Sequence, residues 1–283
     1  MTALAGFETL ATGLDHPEGV GVGPDGLLYA GGEAGQIYRV GEEGAFDEIA
    51  STGGFIYGVT LDASGDVFAC DFGNAAVMRI SASGEVATYS NGTADRPMRV
   101  PNFAAFDGGG NLYVTDSGEW GEDDGVVYRI APGGATEVWT EATARFPNGC
   151  CLTAGDEALL VVESHGRAVV RVPIEDDGRA GRPEPIVDLS GSQPDGIALA
   201  EDWTNVRRML SAGSHLPDLA GGTRRGVRRR PRRGRPEPAR ERRVLGTEPG
   251  SARRLEPRGL EPRRRPGRRT GPPAPLPVHL TDG

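Results

Sequence analysis

The sequence predicts an all-β chain, a β-propeller assembled from small antiparallel sheets, and two observations carry that reading. Short apolar runs of strand length alternate with Gly and Asp-Gly turns, and few stretches have helical periodicity. One composite motif of several strands then recurs every 40–47 residues or so, the period of a propeller blade. A β-sandwich also has short strands and regular turns, but it does not repeat one composite motif at a fixed long spacing.

The elements follow in a constant order. Each copy opens with a Pro/Gly turn and a short apolar strand: HPEGVGV (16–22), FIYGVTL (55–61), VPNFAAF (100–106), FPNGCCL (146–152) and QPDGIAL (193–199). An Asp-Gly-like turn leads to a second strand ending in a small or acidic residue, as in GLLYAGG (26–32), DVFACD (66–71), NLYVTDSG (111–118) and ALLVVES (158–164). A Gly-containing loop then leads to a third strand ending in Arg plus an aliphatic: QIYRV (36–40), AVMRI (76–80), VVYRI (126–130) and AVVRV (168–172). Four units fill residues 16–192 and a fifth opens at 193, so four to four and a half blades are encoded, with room in the remaining length for a sixth.

The net charge of −9 over 283 residues hides a split near residue 203. Residues 1–200 hold 10 Arg against 31 Asp and Glu, whereas residues 201–283 hold 21 Arg against 9. Sixteen of the 17 aromatics fall in the first part, and no Lys occurs anywhere. The chain therefore divides into a propeller body, 1–202, and an Arg/Pro-rich low-complexity tail, 203–283, whose composition cannot bury enough apolar surface to offset chain entropy. The tail reads as a frameshift product. Suitable synonymous codons for Trp203 to Ala220, taken one nucleotide later, give a Gly turn, a strand FVAC and another IYR third strand. A genuine basic tail that binds nucleic acid through phosphates is the alternative. Beyond Trp203 it has no aromatics to stack on bases, and nucleic acid is not an expected partner. In the written frame the fifth blade is expected to stop at its first strand, and the N-terminal strand near FETLATG (7–13) loses the last blade it would close. An open ring and loss of activity follow from that reading.

No apolar run approaches the roughly 20 residues that span a bilayer. The N-terminus lacks the basic start and apolar core of a secretory signal. Cys70, Cys150 and Cys151 have neither disulfide nor zinc spacing. A cytoplasmic protein with free thiols and no membrane partner is expected.

The chemistry concentrates at the blade starts. Pro17-Glu18-Gly19, Pro147-Asn148-Gly149 and Pro194-Asp195-Gly196 share one local shape, and Pro101-Asn102-Phe103 resembles them. Each opens the innermost strand of its blade, and in a propeller those openings converge on the central channel. Glu18, Asn102, Asn148 and Asp195 thus become neighbours that supply only oxygen, which suits a hard divalent cation such as calcium or magnesium. The second blade departs, with Tyr57 before Gly58; Tyr57 either lines the channel or packs between blades. Asp116 and Glu119 either edge the channel or cap turns. His16 and His165 read as surface or packing residues, and the cysteines carry no redox role.

HPEGV, the run RVPNFAAFDGGGNLYVTDSG, FPNG and QPDGIALAED together resemble the gluconolactonase/regucalcin (senescence marker protein) family over residues 10–202. The resemblance implies a six-bladed propeller with one divalent cation in its channel, calcium first and magnesium or zinc as alternatives. It implies Glu18, Asn148 and Asp195 as metal ligands, Asn102 as a metal- or substrate-contacting residue, and Asp195 as the catalytic acid/base. Arg99, three residues before Asn102, lies near where relatives carry a substrate-binding Arg, at a different spacing. The implied activity is hydrolysis of a small lactone or ester. A strictosidine-synthase-like enzyme, a non-enzymatic ligand-binding propeller and an inactive truncated member remain open.

Overall fold

The structure, a computed structural model, describes residues 9–199 and the backbone of 206–207. The chain divides into two units, Met1–Gly221 and Gly222–Gly283. The second lies outside the described residues, as does most of the sequence read above as a tail.

Four antiparallel four-stranded sheets follow one another in sequence. Blade 1 comprises β1 (Val20–Val22), β2 (Leu28–Gly31), β3 (Gln36–Val40) and β4 (Phe46–Ser51). Blade 2 comprises β5 (Ile56–Leu61), β6 (Val67–Asp71), β7 (Ala76–Ile80) and β8 (Val86–Ser90). Blade 3 comprises β9 (Pro101–Phe106), β10 (Leu112–Asp116), β11 (Val126–Ile130) and β12 (Thr136–Thr140). Blade 4 comprises β13 (Pro147–Leu152), β14 (Ala158–Glu163), β15 (Ala168–Pro173) and β16 (Glu184–Asp188). A fifth blade opens with β17 (Ala198–Leu199) paired to β18 (Val206–Arg207).

One expectation changes. The fifth blade continues past its first strand, because β18 pairs beyond residue 203. Of the expected N-terminal closing strand, residues 9–13 form no strand among the described residues, and 7 and 8 lie outside them.

The core is a series of slabs between successive blades. Ile37 and Ile56 meet between blades 1 and 2, Phe68 and Val114 between blades 2 and 3. Tyr113 and Val161 meet between blades 3 and 4, Leu160 and Ile197 between blades 4 and 5. The second strands are covered on both faces, so β6, β10 and β14 are buried at every position. Such strands read as continuous apolar runs rather than alternating ones. Each fully buried aliphatic contributes about 1.5–3 kcal/mol.

Candidate functional site

The blade starts pack edge to edge. A Cβ on Gly58 would lie 2.5 Å from the Asn102 carbonyl oxygen and 2.9 Å from the Phe103 Cα. A Cβ on Gly149 would lie 2.7 Å from the Gly196 Cα, and the Gly149 amide donates to the Asp195 carbonyl at 3.0 Å. Glycine after the polar residue is what lets neighbouring innermost strands come this close. The sequence-predicted residues Asn102, Asn148 and Asp195 therefore sit on successive blades, with Glu18 and Tyr57 on the two preceding ones.

Each asparagine has a buried serine beneath it. Asn102 Nδ2 donates to Ser117 Oγ at 3.0 Å, and Ser117 Oγ donates to the Pro147 carbonyl at 2.8 Å. Asn148 Nδ2 donates to Ser164 Oγ at 3.2 Å, and Ser164 Oγ donates to the Pro194 carbonyl at 2.7 Å. Both serines follow directly on the second strand of their blade and bond the opening turn of the next. With Nδ2 committed, the amide carbonyl oxygen remains available as a donor atom to an ion. Sequence reading missed these serines.

The carboxylates interact electrostatically. Burial among the blades, then the charges of Asp195 and Glu33, push the Glu18 carboxyl up to about 7, although its surface opens to solvent at the mouth. Burial also raises Asp195, opposed by a hydrogen bond from the Asn148 amide. Burial pushes Tyr57 up to about 12, helped by Glu18, Asp195 and Glu33. Tyr57 thus faces the same space as the carboxylates while stacking on Phe72, with centroids 5.4 Å apart. Glu33, which sequence reading missed, belongs to this field. It also lies 3.7 Å from His16, which contacts the half-buried Asp15 at 3.2 Å, in a group of three on blade 1.

Arg99 is placed differently from its neighbours. Its guanidinium pairs with Asp124 at 2.8 Å and donates to the Asp124 carbonyl at 3.1 Å. It remains 40% exposed. Asp116 is a buried cap: it accepts from the Arg99 and Val100 amides at 2.7 and 3.1 Å and from Gly118 at 3.1 Å. Glu119 is exposed. His16 lies at the surface, and His165 packs against Phe146 and Trp120. The three cysteines are free, with Cys70 and Cys150 buried and all three thiols raised by burial. A hollow lined by Glu175–Asp177, Arg179 and Ala180 lies at the opposite end of blade 4 from Asn148.

The donor chemistry fits a hard divalent cation. Burial and then the Asp195 charge raise Glu18, the amide carbonyls of Asn102 and Asn148 are oriented, and no sulfur or imidazole belongs to this set. A cation among them would offset both the burial and the neighbouring charge that raise Glu18.

Four-stranded antiparallel sheets following one another in this way define a β-propeller, and comparison with known proteins gives the chain its family. Residues 27–203 match the SMP-30/gluconolactonase/LRE-like region, and the chain belongs to that family. Residues 2–40 also match the N-terminal region of strictosidine synthase-like proteins. No curated protein matches in sequence. A gluconolactonase from Xanthomonas campestris superposes with a TM-score of 0.61 at 20% identity, over 68% of this chain and 69% of that one. A virginiamycin B lyase from Staphylococcus aureus, solved with quinupristin, gives a TM-score of 0.53 at 20% identity, over 69% of this chain and 64% of that one. At such identities the superpositions establish the fold. Among the described residues no helix is long and apolar enough to cross a membrane.

Proposed function

We propose that this chain is a divalent-metal-dependent hydrolase of lactones, of the gluconolactonase kind, taking a sugar lactone or a related cyclic ester to the open hydroxy acid. The observation that carries the reading is the pair of serine-anchored asparagines at the blade starts, beside the burial-raised carboxyls of Glu18 and Asp195, in a member of the gluconolactonase family. Glu18, Asn148 and Asp195 would hold the ion, calcium first and magnesium or zinc as alternatives. When bound, the cation supplies polarisation of the lactone carbonyl and acidification of water.

The protein's own groups do the rest. Asp195, its carboxyl raised by burial, takes a proton from the attacking water. The water oxygen bonds to the carbonyl carbon, the ring C–O bond breaks, and Asp195 returns the proton to the leaving alkoxide. Asn102, locked by Ser117, orients the ring. Arg99 would bind substrate only by leaving Asp124 or by reaching past it.

Asp195→Ala abolishes metal-dependent hydrolysis of a lactone, and full retention of activity contradicts the assignment. The match of residues 2–40 favours a second reading, a strictosidine-synthase-like propeller without this metal set. Activity that survives chelation selects it.

A further inference from the structure

The loop between second and third strands is four residues long in blades 1, 2 and 4 (32–35, 72–75 and 164–167) and nine in blade 3 (117–125). The long loop lies on the same face as the blade starts, because each second strand runs antiparallel to the first and ends where the first begins. It is firmly held. Asp124 receives Arg99 at 2.8 Å, its carbonyl also receives Arg96, and its carboxylate accepts the Glu119 amide at 2.9 Å.

What the loop presents is an indole. Trp120 is 49% exposed, whereas Trp139 is buried with its N–H bonded to the Gly178 carbonyl at 2.9 Å. Trp120 meets Phe146 edge-on at 4.7 Å and His165 at 4.4 Å, and these two rings lie 5.0 Å apart. Phe146 holds a left-handed backbone with φ 57°, a conformation that costs a bulky residue about 1–3 kcal/mol. The cluster is continuous with the site. Phe146 is two residues before Asn148, and His165 follows Ser164, which anchors the Asn148 amide. Two residues of extended chain reach at most about 7 Å.

From these observations we infer that Trp120, Phe146 and His165 form a subsite for a flat apolar ring on the substrate, so that the preferred lactone carries an aryl or cyclic hydrocarbon group beside the ester. The inference rests on the lactone reading above. The indole's open half, beside two rings, favours a planar apolar partner. Arg96 and Arg99 then act as positioning residues for this shelf.

The test uses hydrolysis-resistant lactams on the full chain: the benzo-fused lactam analogue of dihydrocoumarin and the bare six-membered lactam. Calorimetry is expected to show tighter binding of the benzo-fused ring. Trp120→Ala should weaken it tenfold or more and leave the bare lactam unchanged, while Trp120→Phe keeps most of the preference. An unchanged melting temperature shows that the variant is folded. Equal affinity of the parent chain for both lactams, or equal loss of both in Trp120→Ala, overturns the subsite and leaves the lactone reading standing. Binding of neither lactam by the parent chain overturns both.

Discussion

Asn148 donates its amide to Ser164, 3.2 Å away, and Ser164 passes a hydrogen bond to the opening turn of the next blade at 2.7 Å. The same two bonds recur at Asn102 and Ser117. The relay fixes which face of each amide looks into the mouth and ties the angular position of one donor to the next. Ser164→Ala is expected to lower calcium affinity about tenfold, the usual effect of losing a group that orients a ligand. Calorimetric titration checks it. An affinity equal to that of the parent chain means the relay serves folding alone.

Glu18 gives the protein an inverse pH dependence. Its folded carboxyl titrates near 7, above its usual value of 4.5, so between these pH values the native state binds more protons than the unfolded one. Stability of the metal-free protein therefore falls as pH rises from about 5 to 8, by the contribution of Glu18, which burial above all raises. Melting temperatures across that range should show the fall, Glu18→Gln should flatten it, and saturating calcium should remove it. A melting temperature that rises with pH equally in parent and variant contradicts the coupling.

Gly149 is fixed by its neighbour rather than by its own backbone angles. Any side chain there meets the backbone of Asp195 and Gly196 on the next blade, which has no flexible end to move aside. Gly149→Ala is expected to destabilise by more than about 2 kcal/mol. Denaturant titration reads the loss directly, and a change within about 0.5 kcal/mol would mean the blades separate freely here.

The blades were legible because a second strand covered on both faces is apolar along most of its length, as VFACD and LYVTD are up to their polar ends. The fourth strands were not read as part of the unit. β4, FDEIAS, has no buried residue and no clean alternation, since it forms a half-solvated outer edge. The four oxygen donors stood out because repetition marks equivalent positions. Ser117 and Ser164 did not, because a small residue after a strand gains its role only when the next blade closes over it. Nor did the spacing of Arg99 to Asn102 show that Asp124, 25 residues on, takes up its guanidinium.

Calcium titration of chelator-treated protein tests the central claim most directly. One ion per chain is predicted for the parent, with binding lost in both Glu18→Gln and Asp195→Asn. A parent chain that binds no ion, or variants that bind as the parent does, would contradict the convergence of these residues on a single cation.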